Sequence, residues 1–270
     1  MTTIFITGAS SGLGEALARE FSNEGVALGL LSRRLERLDL LANDLLGTVC
    51  SFSADVGDPL AMRAVAEEFI RSVGVPDVVI ANAGISAGTM TNFVADQEVF
   101  ERIMRTNVLG IVNTFQPFID AMEKRGSGTL VGISSIAGFR GIPGSGAYSA
   151  SKAAATAYLE SLRVELSSSG VRVLTVCPGY IKTAMTDVNP FYMPFLMDAG
   201  SAARSIKKAI DKQKRFHVMP WQMRIVACFL RLLPRLVYDQ LFKRAPRKPR
   251  SLSVEVIFRP VYSLRMDSSA

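Results

Sequence analysis

Short apolar runs and helix-length segments alternate along most of this chain, and this alternation restricts its fold more than any other feature. Seven runs are rich in β-branched and aromatic residues and short enough for strands: 4–6, 26–31, 49–52, 77–81, 129–133, 171–176 and 216–219. Helical spacing of apolar residues predicts helices at 12–24, 34–46, 58–72, 96–123 and 147–168. Strands separated by helices form βαβ units, so we predict an α/β fold with a doubly wound parallel sheet of about seven strands.

The composition excludes several classes of protein. A chain of 270 residues with 49% hydrophobic residues suits one large domain, and no apolar run reaches the roughly 18 residues that span a bilayer. The first strand begins almost at Met1 with no basic region before it, so we expect no cleavable signal and a cytoplasmic location. Three cysteines without metal spacing and a single histidine, His217, predict no metal site and no Ser-His-Asp triad.

A glycine-rich turn separates the first strand from the first helix. It reads Thr7-Gly8-Ala9-Ser10-Ser11-Gly12-Leu13-Gly14. Glycines let the backbone turn tightly and approach a pyrophosphate, which the N-terminus of the following helix stabilises. A glycine-rich segment is often only a turn, but its position between a strand and a helix favours phosphate binding.

Tyr148 and Lys152 are four residues apart in a predicted helix, and Ser135 lies thirteen residues before Tyr148. Residues at this helical spacing share a face. A tyrosine has a pKa of about 10, and a nearby ammonium lowers it, so the pair can act as an acid-base group. The same spacing also occurs on ordinary amphipathic surfaces, and other motifs must decide between the two interpretations.

These motifs, with Asn82-Ala83-Gly84, Asn107 and Pro178-Gly179, resemble the short-chain dehydrogenase/reductase family over roughly residues 2–219. The resemblance implies that Tyr148 is the general acid or base and that Lys152 also binds the nicotinamide ribose. It implies that Ser135, rather than its neighbour Ser134, donates to the substrate oxygen, and that Asn107 holds a water of a proton relay. The remaining residues, 220–270, are predicted to be a basic amphipathic extension.

The resemblance also implies a set of cofactor-binding residues at the ends of the strands. They are Gly8, Ser10, Ser11, Gly12, Leu13, Gly14, Arg33, Asp55, Val56, Asn82, Ala83, Gly84, Tyr148, Lys152, Pro178, Gly179, Ile181 and Thr183. The second strand ends without the acid that would bind a ribose 2′-hydroxyl, and Arg33 follows it. Arg33 can pair with a 2′-phosphate, which favours NADP(H) as cofactor. The alternative is that Arg33 and Arg34 only begin a solvated helix.

The segment after Thr183 is apolar and rich in methionine and aromatic residues. Its apolar members are Met185, Phe191, Tyr192, Met193, Pro194, Phe195, Leu196 and Met197. Such a segment fits a lid over an apolar substrate. Packing of these residues on the body or on a partner subunit is an equally open interpretation.

Positive charge is concentrated near the end of the chain. Residues 204–250 hold fourteen basic and two acidic residues, so they carry +12 while the rest of the chain carries −5. Apolar residues recur at helical spacing over 221–245, with Pro234 dividing the segment. A basic amphipathic helix can lie on a membrane surface through 221–250, or it can pack on the body or another subunit. No nucleic acid is expected as a partner, since no binding motif accompanies the charge.

The sequence therefore predicts an NADP-dependent oxidoreductase that moves a hydride between the nicotinamide and an apolar ketone, aldehyde or secondary alcohol. The alternatives are a non-catalytic NADP(H)-binding sensor and a membrane-surface scaffold on the same fold. The resemblance further implies a homodimer or homotetramer built from the long helices at 96–123 and 147–168.

Overall fold

The computed structural model of the chain describes residues 2–22 and 26–250. The last two residues of the first predicted helix and residues 251–270 of the predicted extension lie outside the described residues.

Seven parallel strands form one sheet, in the order β3-β2-β1-β4-β5-β6-β7. The strands are β1 Thr3–Thr7, β2 Ala27–Ser32, β3 Val49–Ser53, β4 Val78–Ala81, β5 Gly128–Ile133, β6 Val171–Pro178 and β7 Phe216–Met219. All seven predicted strands are present and the predicted parallel sheet is confirmed. The strand order reverses between β1 and β4, which opens a crevice at the carboxyl ends of the strands.

Helices cover both faces of the sheet. They are α1 Gly12–Ser22, α2 Leu35–Asn43, α3 Pro59–Val73, α4 Asp96–Met104, α5 Gly110–Arg125, α6 Gly146–Glu165, α7 Ala184–Asp187, α8 Ala199–Asp211, α9 Trp221–Leu232 and α10 Arg235–Phe242. One core cluster joins the sheet to α1, α2 and α8, and the other joins it to α3, α5 and α6. Burial on both faces explains why the strands are continuously apolar rather than alternating.

Two features of the helices differ from the prediction. The helix expected at 96–123 contains a π-helical turn, Arg105–Leu109, between α4 and α5. Helix α8 was not predicted, although Asp198 caps its N-terminus by accepting a hydrogen bond from the Ser201 amide at 2.7 Å. Its buried face consists mainly of alanines, which give a weaker apolar signal than leucine or isoleucine.

The C-terminal extension forms α9 and α10, which meet at Pro234. The Tyr238 hydroxyl donates to the carbonyl of Gly141, and the Arg140 guanidinium donates to the Leu233 carbonyl at 3.2 Å. The Arg140 guanidinium also lies 4.4 Å from the centre of the Tyr238 ring. These contacts fix one side of the extension to the loop before α6. No described helix is both long and apolar enough to cross a membrane.

Candidate active site

The glycine-rich turn passes so close to its neighbours that side chains cannot be accommodated. Gly8 has a φ of +70°, and a Cβ there would lie 2.8 Å from the Ala83 Cα. A Cβ on Gly14 would collide with the Gly8 carbonyl. The turn leads into α1, whose first residues line the crevice, so the local geometry fits a bound pyrophosphate.

Asn82 braces this turn from the end of β4. Its side-chain Nδ2 donates to the carbonyls of Thr7 at 3.0 Å and Gly8 at 3.3 Å. The Thr7 hydroxyl in turn accepts from the amides of Asn82 and Ala83. These bonds tie β1 to β4 at the point where the strand order reverses. They hold the small residues of Asn82-Ala83-Gly84 at the wall of the crevice.

Two arginines line the crevice at the end of β2. The Arg34 guanidinium donates to the hydroxyls of Ser10 at 2.9 Å and Ser11 at 3.1 Å, and so bridges the second strand to the glycine-rich turn. Burial lowers the pKa of Arg33, and Asp55 opposes that effect. Arg34 is thus a candidate that the sequence did not single out. The only indication in the sequence was that Arg34 directly follows Arg33, and the start of a solvated helix explains that position equally well.

The other predicted cofactor residues line the same crevice, except Gly14, which packs beneath the turn against Gly8. Asp55 accepts from the Gly57 amide at 2.8 Å, which shapes the turn after β3. The Gly179 amide donates to the Met219 carbonyl at 2.7 Å, so the turn after β6 is held by the end of β7. Thr183 caps α7 through a reciprocal pair of hydrogen bonds with Thr186. Carboxyl ends of β1 to β6 therefore contribute to one site.

Tyr148 borders the crevice at the start of α6. Burial raises the pKa of its hydroxyl, and a hydrogen bond with Ser135 partly offsets this. The expected lowering by Lys152 is not seen, since burial of the phenol dominates; the Lys152 Nζ lies 5.8 Å from the centre of the Tyr148 ring and donates to the Ile133 carbonyl at 2.8 Å. The phenol therefore holds its proton at neutral pH, which is the state needed to protonate a carbonyl oxygen.

Lys152 and Asn107 meet beneath the crevice near Gly84. A Cβ on Gly84 would lie 3.3 Å from the Asn107 Oδ1 and 3.5 Å from the Lys152 Nζ. Burial lowers the pKa of Lys152 to about 8. Asn107 is fully buried in the π-helical turn, a local widening that is frequent at functional sites.

The side-chain amide of Asn107 is occupied by protein groups. Its Oδ1 accepts from the Ile85 amide at 2.8 Å, and its Nδ2 donates to the Ile85 carbonyl at 2.9 Å and the Ser151 hydroxyl at 3.0 Å. Asn107 therefore fixes the backbone after β4 against α6. In this arrangement its side chain positions that backbone, and the water relay implied by the family resemblance stays a prediction.

Ser134 and Ser135 are distinguished by their partners. The Ser134 hydroxyl donates to the Lys152 carbonyl at 2.9 Å and lies 2.7 Å from the Thr156 hydroxyl. The Ser135 hydroxyl accepts from the Ala137 amide at 3.1 Å, lies 3.5 Å from the Pro178 carbonyl oxygen and forms a hydrogen bond with the phenol of Tyr148. Ser134 thus holds α6 against β5, whereas Ser135 lies beside Tyr148 at the crevice.

The crevice has a volume of about 470 Å³, within the range of small-molecule sites. Of the predicted lid, only Met185 lines it, together with Val188 from the same segment. Phe191 packs on Tyr180 with ring centres 6.4 Å apart, and Tyr192 is 87% exposed. The predicted lid is therefore only partly a cover for this crevice.

Comparison with known proteins identifies the family. Residues 2–190 match the family model described as short chain dehydrogenase. The chain belongs to this family. A relative named "Uncharacterized oxidoreductase" from Myxococcus xanthus is 37% identical over 245 residues, which is 90% of this chain and 96% of the relative. "Dehydrogenase/reductase SDR family member 7B" from Bos taurus is 34% identical and aligns with 92% of this chain and 82% of its own.

Solved structures of short-chain dehydrogenases have the same fold. A short chain dehydrogenase from Burkholderia cenocepacia in complex with NADP has a TM-score of 0.77 at 25% identity, and the match covers 89% of this chain and 97% of that chain. An alcohol dehydrogenase from Thermococcus sibiricus complexed with 5-hydroxy-NADP has a TM-score of 0.73 at 27% identity, covering 81% and 95%. This short-chain dehydrogenase is therefore an oxidoreductase.

A further side chain enters the crevice of this dehydrogenase from far along the chain. Lys248 lines it together with Pro249, near Ser86 and Met185. The sequence placed Lys248 only within a basic run. Within residues 2–22 and 26–250, no group of three or more His, Cys, Asp or Glu side chains is placed to hold a metal ion.

Proposed function

We propose that this protein is an NADP(H)-dependent oxidoreductase that reduces the carbonyl of a largely apolar ketone or aldehyde, or oxidises the corresponding alcohol. The observation that carries the proposal is the convergence of Ser135, Tyr148 and Lys152 on the crevice that the glycine-rich turn also lines. A nicotinamide dinucleotide bound there supplies or accepts the hydride.

The residues of the crevice act on the substrate oxygen. Ser135 donates a hydrogen bond to that oxygen and stabilises the negative charge that develops on it. Tyr148 transfers its proton to the same oxygen, and in the reverse direction it accepts the proton. The buried Lys152 ammonium binds the nicotinamide ribose and so holds the cofactor beside Tyr148. Asn107 keeps the backbone after β4 in position for these steps.

The preference for NADP(H) over NAD(H) is proposed from the two arginines after β2. Arg33 and Arg34 line the crevice, and no acid stands at the end of the strand to bind a 2′-hydroxyl. Arg34 is oriented by Ser10 and Ser11, so its guanidinium is held beside the turn where a 2′-phosphate would lie.

Calorimetric titration with NADPH and NADH, followed by a panel of apolar ketones and aldehydes, tests both parts of the proposal. Tighter binding of NADPH with turnover supports it. Binding without turnover on the whole panel favours the alternative of a cofactor-sensing protein, and equal binding of the two cofactors removes the role of the arginines.

We also propose a cytoplasmic protein that contacts the inner face of a membrane through 221–250. The outward side of α9 and α10 exposes a row of large apolar residues: Trp221, Ile225, Phe229, Leu232, Leu236, Val237 and Leu241. Arg224, Arg235 and Lys243 flank this row, and the positive charge of the segment is complementary to anionic lipid headgroups.

Co-sedimentation with vesicles tests the membrane contact. The full chain should bind vesicles rich in phosphatidylglycerol and not vesicles of phosphatidylcholine alone, and Leu236→Glu should abolish binding. If the chain instead elutes as an oligomer that Leu236→Glu converts to monomer, the row is a subunit interface.

A homodimer or homotetramer through α4, α5 and α6 is proposed from the family resemblance. Light scattering of the wild type and of Leu236→Glu measures the oligomeric state, and both should have the same mass if these helices form the interface.

A further inference from the structure

The chain returns to the crevice after α10. We use the term strap for residues 246–250. The Pro249 carbonyl accepts from the Gly88 amide at 3.1 Å. The Arg250 guanidinium donates to both carboxylate oxygens of Asp96, at 2.8 and 3.0 Å, and lies 3.4 Å from the centre of the Phe93 ring. These contacts hold the strap directly after Lys248.

Lys248 extends from the strap into the crevice and donates to two neutral oxygens. Its Nζ lies 3.0 Å from the Ser86 hydroxyl and 3.1 Å from the Met185 carbonyl. An ammonium has three N–H groups, so these two bonds leave one N–H for another acceptor. No described carboxylate forms an ion pair with it. Burial lowers the pKa of Lys248 to about 8, so it is still mostly charged at neutral pH.

A half-buried charge without a counter-ion among the described residues is costly, and an anion in the crevice would offset that cost. Ile85, Val99, Ile103, Met185 and Val188 line the same crevice and are apolar. An anionic group bound at Lys248 would therefore belong to a molecule whose remaining surface is apolar.

The strand order places Lys248 at the substrate end of the crevice. Ser86 follows β4 and Met185 follows β6, so the two partners of Lys248 lie on either side of β5. Ser135 lies just after β5 and β2 lies two strands beyond β4. Lys248 is therefore above the catalytic serine, whereas the arginines proposed for the 2′-phosphate are at the far end of the crevice.

We propose that Lys248 binds an anionic group of the substrate, a carboxylate or a phosphate monoester, and that the substrate is an apolar carbonyl compound bearing one such group. The inference rests on the proposed function and narrows its substrate class. The strap then serves as a specificity element contributed by residues far from the reacting groups in the sequence.

Three matched probes test the inference: a keto acid with an unbranched alkyl chain, its methyl ester, and the phosphate monoester of the corresponding keto alcohol. The wild-type protein should reduce one or both anionic probes with a kcat/KM at least tenfold above that of the ester. Lys248→Met should lower kcat/KM for the preferred anion by about 10–100-fold, the range expected for a hydrogen bond to a charged group, and leave the ester unchanged. Lys248→Arg should retain much of the preference. Preference for the carboxylate or the phosphate identifies which anion is bound.

Two controls keep the result specific. Lys243→Met removes the same charge from an exposed position on the extension. It should change neither the preference for the anions over the ester nor the preference between carboxylate and phosphate. The alcohol product of the keto acid, a hydroxy acid, and the methyl ester of that product can be titrated by calorimetry into the protein–NADPH complex. This measures binding without turnover, and in Lys248→Met only the hydroxy acid should lose affinity.

Other outcomes overturn the inference. An ester reduced as well as both anions, or a Lys248→Met protein that loses all three probes equally, would make Lys248 an anchor of the strap only. A raised KM for the cofactor without a change in preference would make it a cofactor ligand. If no probe is turned over but the hydroxy acid binds through Lys248, the proposed reaction fails while the anion site stands.

Discussion

The two ends of the crevice are built in different ways. The cofactor end is made by residues that directly follow β1, β2 and β3, and each is fixed by the strand that precedes it. The substrate end is roofed by α7 and by the strap, which reaches Ser86 from 162 positions away along the chain. The family match covers 2–190 and so includes the first region but not the strap. In the proposed function the cofactor is bound mainly by strand ends, whereas the proposed role of Lys248 assigns substrate choice to the strap.

The largest effect should come from Tyr148→Phe at the centre of the crevice. Removing the hydroxyl removes the proton donor, and general acid-base groups typically contribute about 10²–10⁴-fold to a rate. Steady-state kinetics should show that loss in kcat, while calorimetry shows cofactor affinity close to that of the wild type.

The matched control is Tyr158→Phe, which removes a hydroxyl from the same helix at a position that does not line the crevice. Its kcat should stay within about twofold of the wild type, as expected for a change away from the reacting groups. Substantial turnover by Tyr148→Phe would remove the assignment of Tyr148 as the acid.

At the cofactor end, Arg33→Asp should reverse the charge beside the ribose. The carboxylate repels a 2′-phosphate and can accept from a 2′-hydroxyl, so the ratio of kcat/KM for NADPH to that for NADH should fall by about 10–100-fold. Arg37→Asp makes the same charge change on an exposed turn of α2 and should alter the ratio little. An unchanged ratio in Arg33→Asp would leave Arg34 alone as the candidate.

The pKa of Lys152 predicts how kcat/KM for carbonyl reduction depends on pH. Burial lowers its pKa to about 8, so the ammonium is present below that pH and is lost as the pH rises through it. With an uncharged ketone, kcat/KM for reduction should be level near neutral pH and fall about tenfold per pH unit above about 8, as for a single required proton.

An uncharged ketone is needed because burial also lowers the pKa of Lys248 to about 8. With an anionic substrate, loss of the Lys248 charge would add its own fall in kcat/KM at the same pH. Lys152→Arg keeps a charge at all these pH values, so it should lose the alkaline fall whatever its remaining rate. A fall that persists in Lys152→Arg would have to be assigned to another group.

The smallest effect is expected at the strap. Asp96→Asn weakens the ion pair with Arg250 that holds the strap, and it changes none of the residues proposed for catalysis or cofactor binding. The KM for the carbonyl substrate should therefore rise a few-fold, with kcat and cofactor affinity unchanged. Glu98→Gln, an exposed acid on the same helix, is the control. A drop in kcat with unchanged KM would show that the strap acts on chemistry and would break the division between the two ends.

The same division explains how much could be predicted from sequence. Strands, the glycine-rich turn and the Tyr148–Lys152 spacing depend on local periodicity, so their positions in the fold followed from residues a few positions apart. The position of Lys248 and the grip of Arg34 on Ser10 depend on contacts between distant segments, for which a single sequence has no periodic signal. The pKa of Tyr148 was predicted in the wrong direction because burial of its hydroxyl, which depends on the whole fold, outweighs the neighbouring ammonium.

The wide turn around Asn107 lets a single continuous helix face two environments. Before it, Val99, Arg102 and Ile103 line the crevice; after it, Phe115 and Phe118 fill the core. One residue more or less in an α-helix rotates everything beyond it by about 100°. Deleting a residue from this turn would regularise the hydrogen bonds and could leave the helix as stable as before, yet every side chain on one half would face the wrong way. At this turn the requirements of an ideal helix and of a working enzyme are in conflict.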